Sequence, residues 1–183
     1  MAKFYDHLPQ KYQKFAAQQK IFFVATAPEE GRISLSPKGM DSFVCINPKT
    51  VAFLNVTGSG NETAAHLKEN GRITVMFCSF EEKPLILRLY GTGHSVHPDH
   101  PDWEHLKPQF PDLPGARQIV VIQIDSVQTS CGESIPFFEY QGERESLSQW
   151  ATKKGPEGVR AYQEKRNQKS IDGLDTGIFD RED

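Results

Sequence analysis

The run Ile21-Phe22-Phe23-Val24-Ala25-Thr26-Ala27-Pro28-Glu29-Glu30-Gly31-Arg32-Ile33-Ser34-Leu35-Ser36 decides the fold class. Ile21 to Ala27 is rich in β-branched and aromatic side chains, which fit a pleated surface, and it is short for a helix. Pro28 to Gly31 is a turn, because proline presets one backbone angle and glycine accepts angles that other residues resist. Arg32 to Ser36 then alternates polar and apolar, as a half-buried strand does. Strands joined by so short a turn pair antiparallel, since a parallel pair needs a crossover of a dozen residues or more. The turn Glu81-Glu82-Lys83-Pro84 repeats the arrangement between Arg72–Phe80 and Leu85–Tyr90.

Outward from these hairpins the pattern stays mainly β. Leu8, Tyr12, Phe15 and Ala16 share one face of an opening helix, with Pro9 suited to its first turn. Val44-Cys45-Ile46 and Val51 to Thr57 are strands about the turn Asn47-Pro48-Lys49. Asn61 to Asn70 is a helix with Ala64, Ala65 and Leu67 inward, and Asn70-Gly71 stops it. Gly91 to Pro114 reads as loop with a short helix near 102–110, and Gln118 to Val127 as the last strong strand. Leu147, Trp150 and Ala151, then Val159, Tyr162 and Arg166, mark two closing helices. About six strands with helices inserted irregularly predict an antiparallel β-barrel with peripheral helices, not a parallel sheet. Residues 1–183 read as one domain in which 144–183 form a helical C-terminal extension packed on the barrel.

Composition narrows the function. Lys and Arg number 21 against 24 Asp and Glu, a formal net charge of -3. A nucleic-acid partner calls for a basic excess, and there is none. The longest apolar stretch, Ile21 to Ala27, is far too short to span a bilayer. The opening Met-Ala-Lys-Phe-Tyr-Asp lacks the apolar core of a signal peptide, and Cys45, Cys78 and Cys131 are odd in number without CxxC spacing. The expectation is a reduced, cytoplasmic protein, in which the glycosylation match Asn61-Glu62-Thr63 carries no weight.

The most informative local arrangement is a strand, then Gly58-Ser59-Gly60-Asn61-Glu62-Thr63, then a helix. Glycines let backbone approach an anion, and the first N–H groups of a helix carry about half a positive charge. Ser59, Asn61 and Thr63 add side-chain donors. The Gly-Lys-Ser/Thr ending of a triphosphatase loop is missing, and so is the third glycine of a dinucleotide fingerprint. The plainer alternative is that Asn61 caps the helix and Glu62 complements its dipole. Ser36-Pro37-Lys38-Gly39 ends the first hairpin, where Lys38 either supplies charge or is a solvated turn residue.

Other residues carry two readings each. Arg88 interrupts an apolar strand, opposite in parity to Leu87 and Leu89, and reads as an interface ion pair or a cofactor contact. His94, His97, His100 and His105, with Asp99 and Asp102, have the ligand types of a zinc site but no helix to align them. Cys131 is a structural buried thiol or, less readily, a nucleophile. Lys153 to Lys169 is a solvated basic helix face or a docking surface.

Taken in order, several segments resemble one family. They are Ser36-Pro37-Lys38-Gly39, Gly58 to Thr63, Arg72 to Phe80, Leu87-Arg88-Leu89-Tyr90-Gly91, Thr129-Ser130-Cys131-Gly132 and Ser170-Ile171-Asp172-Gly173-Leu174. Their order and spacing are similar to those of the pyridoxamine 5′-phosphate oxidase-related FMN-binding proteins, over nearly the whole chain. The resemblance implies a split β-barrel homodimer with FMN between subunits. It carries cofactor contact to Ser36, Lys38, Gly58, Ser59, Gly60, Asn61, Glu62 and Thr63, with Arg88 as a further candidate. It implies an FMN-dependent oxidoreductase acting with a small-molecule substrate or electron donor. A flavin, haem or deazaflavin binding or storage protein on the same barrel remains open, and a cofactor-free interaction module ranks last. The Arg-Leu-x-Pro segment of the oxidase itself is not found near Gly173 to Asp180, so pyridoxamine phosphate oxidation is not carried over.

Overall fold

The computed structural model describes residues 2–180. Strand β1 (Lys3–Tyr5) precedes helix α1 (Gln10–Gln18), and β2 (Phe22–Thr26) and β3 (Ser34–Lys38) form the first hairpin. Then come β4 (Phe43–Asn47), β5 (Thr50–Val56), helix α2 (Glu62–Asn70), β6 (Arg72–Cys78) and β7 (Ile86–Val96). Helix α3 (Trp103–Leu106), running into a 3-10 turn at Lys107–Gln109, leads to β8 (Ala116–Ser130), and α4 (Ser146–Arg166) follows. Every strand pairing is antiparallel, in the order β3-β2-β6-β7-β8-β5-β4, with β1 also on β8.

The sheet curls because its inner face is aromatic at both ends. Phe22 of β2 meets Phe43 of β4 at 5.5 Å between ring centroids and Phe53 of β5 at 5.7 Å, and Phe43 meets Phe77 of β6 at 4.9 Å. Strands distant in the pairing order therefore close on each other, while β3 and β4 stay unpaired to one another and leave the barrel split. Each such ring pair adds about 0.5–1.5 kcal/mol beyond its buried area. The other face of β5 and β8 packs Ala52, Leu54, Ile119 and Val121 against Trp103, Leu106 and Phe110. Both faces of these strands are covered, which is why they read as unbroken apolar runs.

The structure corrects four expectations. Among the described residues there are eight strands against about six expected, and the short β1 is the one with no counterpart in the sequence pattern. Gly91 to Val96 continue β7 instead of forming a loop, because Gly91 and Gly93 allow the main chains of β7 and β8 to approach closely. Cys131 is exposed, not buried, since it lies just past the end of β8. The strand expected at Arg32 begins at Ser34 and runs through Pro37 to Lys38, which an edge strand tolerates because no ladder needs the missing N–H. The two closing helices are the halves of α4, broken at Gly155 (φ 67, ψ 170) before Pro156. Among the described residues no helix is long and apolar enough to cross a membrane.

Candidate functional site

Strand β5 delivers the chain into the turn, and α2 leaves it at Glu62. Thr57 is fixed at the entry. Its N–H and its hydroxyl both donate to the Gly115 carbonyl, at 2.8 and 2.9 Å, and Gln163 Nε2 donates to the hydroxyl at 2.8 Å. The Gly58 carbonyl accepts from Asn167 Nδ2 at 3.1 Å, and the Gly60 carbonyl from Arg117 Nη1 at 2.9 Å. A trans peptide sets the next N–H opposite its carbonyl. The amides of Ser59 and Asn61 therefore turn away from Asn167 and Arg117. No turn or cap hydrogen bond among the described residues occupies the N–H groups from Gly58 to Ala64, and Ser59 and Gly60 are exposed.

Asn61 stands at the N-cap of α2 without capping it: its side chain makes no hydrogen bond to the helix. It is 2% exposed, and both Oδ1 and Nδ2 are buried without a partner. The plain capping role thus leaves this side chain unexplained. Thr63 is buried in the first turn. Glu62 accepts from the Ile171 amide at 2.9 Å, so its carboxylate is engaged by the C-terminal segment. Its charge beside Gly60 opposes an anion, which makes nearby cations decisive.

Two cations are there. Lys38 lies on the inner face of β3, opposite Phe22, and its Nζ reaches Asn55 Oδ1 at 3.3 Å. Burial, helped by the charge of Arg117, pushes the Lys38 ammonium down to about 8. Arg117, near the start of β8, is 4% exposed; Nη1 also donates to Asn167 Oδ1 at 2.8 Å, while Nε has no partner. Burial pushes its guanidinium down to about 10. Among the described residues no carboxylate forms an ion pair with either group. Buried charges are costly unless paired. Ser36 Oγ, two residues from Lys38 on the same face, is likewise buried and unpartnered, as are both amide atoms of Gln118, which stands opposite Asn55 across β5 and β8.

The structure therefore brings Lys38 and Gly60 to Arg117 and ties Gly58 to it through Asn167, with Ser59, Asn61 and Thr63 on the same turn and Ser36 two residues from Lys38 on β3. Arg88 is elsewhere, on the outer sheet face between Met76 and Gln128, donating to Ser130 Oγ at 3.1 Å. Arg117, Asn55, Gln163 and Asn167 were not singled out in the sequence. Only Arg117 carried a signal there, as a charge at the head of the run Ile119 to Ile122. His94 and His97 line an adjoining cavity of about 240 Å³ with Leu67, Ser95 and Thr176, and His97 lies against the Arg117 backbone. Among the described residues no three His, Cys, Asp or Glu side chains converge to hold a metal. Lys153, Lys154, Arg160, Lys165, Arg166 and Lys169 are exposed.

Residues 8–131 match the family model described as pyridoxamine 5′-phosphate oxidase. The "Pyridoxamine 5′-phosphate oxidase family protein ustO" of Aspergillus flavus is 36% identical over 194 residues, spanning 95% of this chain and 77% of the relative. Among solved structures, a histidine-to-alanine variant of HupZ from Group A Streptococcus superposes with a TM-score of 0.56 at 20% identity, covering 67% of this chain and 99% of that one. Unsubstituted HupZ gives a TM-score of 0.54 at 20% identity, covering 66% and 92%. These likenesses show the fold. The family model spans more than half of the sequence and the fungal relative nearly all of it, so the chain belongs to the pyridoxamine 5′-phosphate oxidase family.

Proposed function

We propose that this protein binds FMN and uses it for oxidation or reduction of a small molecule. One observation carries the reading: among the described residues Lys38 and Arg117 are two largely buried cations without a carboxylate partner, close to an unpartnered Asn61 at the start of α2. A phosphate fits this set. Its oxygens accept several hydrogen bonds at once, and its charge supplies what the two cations lack. The unsatisfied side-chain donors are Ser36 Oγ, Asn61 Nδ2 and Arg117 Nε, whereas the Ser59 and Asn61 amides face away from Arg117. Bound FMN supplies a ring that takes up and gives back a hydride or single electrons. The chain's part is to anchor the phosphate, orient the ring and limit water.

The phosphate is what the experiment isolates. Titrated by quenching of flavin fluorescence, FMN should bind at least about tenfold more tightly than riboflavin. Hydrogen bonds to charged groups contribute roughly 1.5–3 kcal/mol each. Equal affinities would overturn the reading. Bound FMN that a nicotinamide donor reduces, with turnover to an added acceptor, indicates an enzyme; bound FMN without turnover across donors indicates a binding or storage protein.

A second copy completes the proposal. The edge strand β3 has its outer edge unpaired, Leu35 on it is 67% exposed, and Ile33 just before it is 76% exposed. An apolar, unpaired edge is a liability that a partner removes. Sedimentation should give twice the 20.7 kDa of one chain, and a monomer mass would contradict it.

A further inference from the structure

We infer that Asn167 is a positioning residue for the anion, setting the pose of both Arg117 and the Gly58–Gly60 turn. The inference rests on the FMN reading. Asn167 follows α4 directly and is fully buried, at 0% exposure. Each of its polar groups is committed. Its N–H donates to the Gln163 carbonyl at 2.8 Å, and its carbonyl accepts from Thr176 Oγ1 at 2.6 Å. Its side chain reaches both halves of the site, with Oδ1 accepting from Arg117 Nη1 and Nδ2 donating to the Gly58 carbonyl.

This placement has two consequences. Arg117 shares one nitrogen between Asn167 and Gly60, and that holds its guanidinium with Nε still unpartnered. The grip on the Gly58 carbonyl fixes the peptide plane whose other end is the Ser59 N–H. Nearby, Gln163 of the same helix holds Thr57, so one turn of α4 braces the turn at two points. The segment beyond Asn167 is anchored in its turn: Asp172 pairs with Arg32, and Asp175 and Asp180 pair with Lys68.

The residue type matters as much as its place. An amide offers Arg117 an acceptor and Gly58 a donor while adding no charge. The positive charge of Arg117 therefore stays available to a ligand. An aspartate here would keep the acceptor, lose the donor, and give Arg117 the counter-charge that the ligand otherwise brings.

Asn167→Asp separates this role from simple packing. FMN and riboflavin affinities by fluorescence, and the melting temperature of cofactor-free protein, are measured for wild type, Asn167→Asp and Asn167→Ala. The aspartate variant should lose about tenfold or more in FMN affinity, keep riboflavin affinity within about twofold, and melt above the alanine variant. Should it be too unstable to titrate, Asn167→Ser, which retains a hydroxyl for one of the two contacts, is read by the same FMN-to-riboflavin ratio. A wild-type preference for FMN that survives in the substituted protein overturns the role of Asn167 alone. A wild type that binds FMN no better than riboflavin removes the flavin reading and this role together.

Discussion

Replacing Lys38 with methionine should raise the melting temperature of the cofactor-free protein by a few degrees while lowering FMN affinity by roughly a hundredfold. The two effects share one cause. Among the described residues the Lys38 ammonium makes a single hydrogen bond, 3.3 Å to Asn55, and it is desolvated beside Arg117. Its displacement from 10.5 to about 8 corresponds to a penalty on the order of 3 kcal/mol for the charged form. Methionine keeps most of the aliphatic stem and carries no charge. Asn55 Oδ1 then loses its donor at a cost of about 1–3 kcal/mol, so the net gain is small. The bound state reverses the balance, because an anion converts the penalty into an attraction. A variant that melts lower and binds FMN as the wild type does would mark Lys38 as structural.

The same group sets a pH dependence. In the unfolded chain Lys38 titrates near 10.5 and in the folded chain at about 8, so between these values the unfolded state binds the extra proton. Stability of the cofactor-free protein therefore contains a contribution that is absent below about pH 8 and grows as the pH rises toward 10.5. Anion binding draws the proton back, so FMN affinity should fall above pH 8, by up to about tenfold per unit. The difference between wild type and Lys38→Met, measured across this window, isolates the effect from other titrating groups.

Lys38 also marks how far the sequence could be read. Its hairpin was legible, since alternation and the Pro28–Gly31 turn are local properties. That its side chain points inward, onto Asn55 and toward Arg117, depends on pairings between segments far apart in the chain. The same limit hid β1, whose three residues have no periodicity and are a strand only because β8 outruns β5. Gly91 and Gly93 read as loop because glycine is a local breaker, yet here they are what close approach of two strands requires. The phosphate-like turn was legible in its glycines and its helix start. Its electrostatics were not: Arg117 lies 57 residues from Gly60, and Asn167 109 residues from Gly58. No pattern within a short window announces an amide that is needed because the chain has folded around it.

Gly91→Ala should destabilise the protein by about 3 kcal/mol or more, one of the larger effects available to a single added methyl group. Gly91 sits where the β7–β8 register shifts, Tyr90 facing Ser126 and Gly91 facing Ile124. A Cβ there would lie 2.1 Å from the Gln123 carbonyl oxygen, 3.0 Å from its carbon and 3.0 Å from Ile122 Cγ2. The oxygen belongs to the main chain of the longest strand, so it cannot rotate aside as a side chain would. Relief requires the two strands to part in the middle of a ladder that runs from Ile86–Ser130 to Val96–Ile119. Leu87, Leu89, Ile122 and Val127, all buried on these strands, would loosen with them. Gly58→Ala is the matched control, because nothing lies within 4 Å of a Cβ at that position. Urea midpoints with an unchanged slope should separate the two: a large drop for Gly91→Ala and a shift within roughly 0.5 kcal/mol for Gly58→Ala. A Gly91→Ala protein within about 1 kcal/mol of wild type would mean that β7 and β8 have room between them, and the strand assignment from Gly91 to Val96 would lose its steric basis.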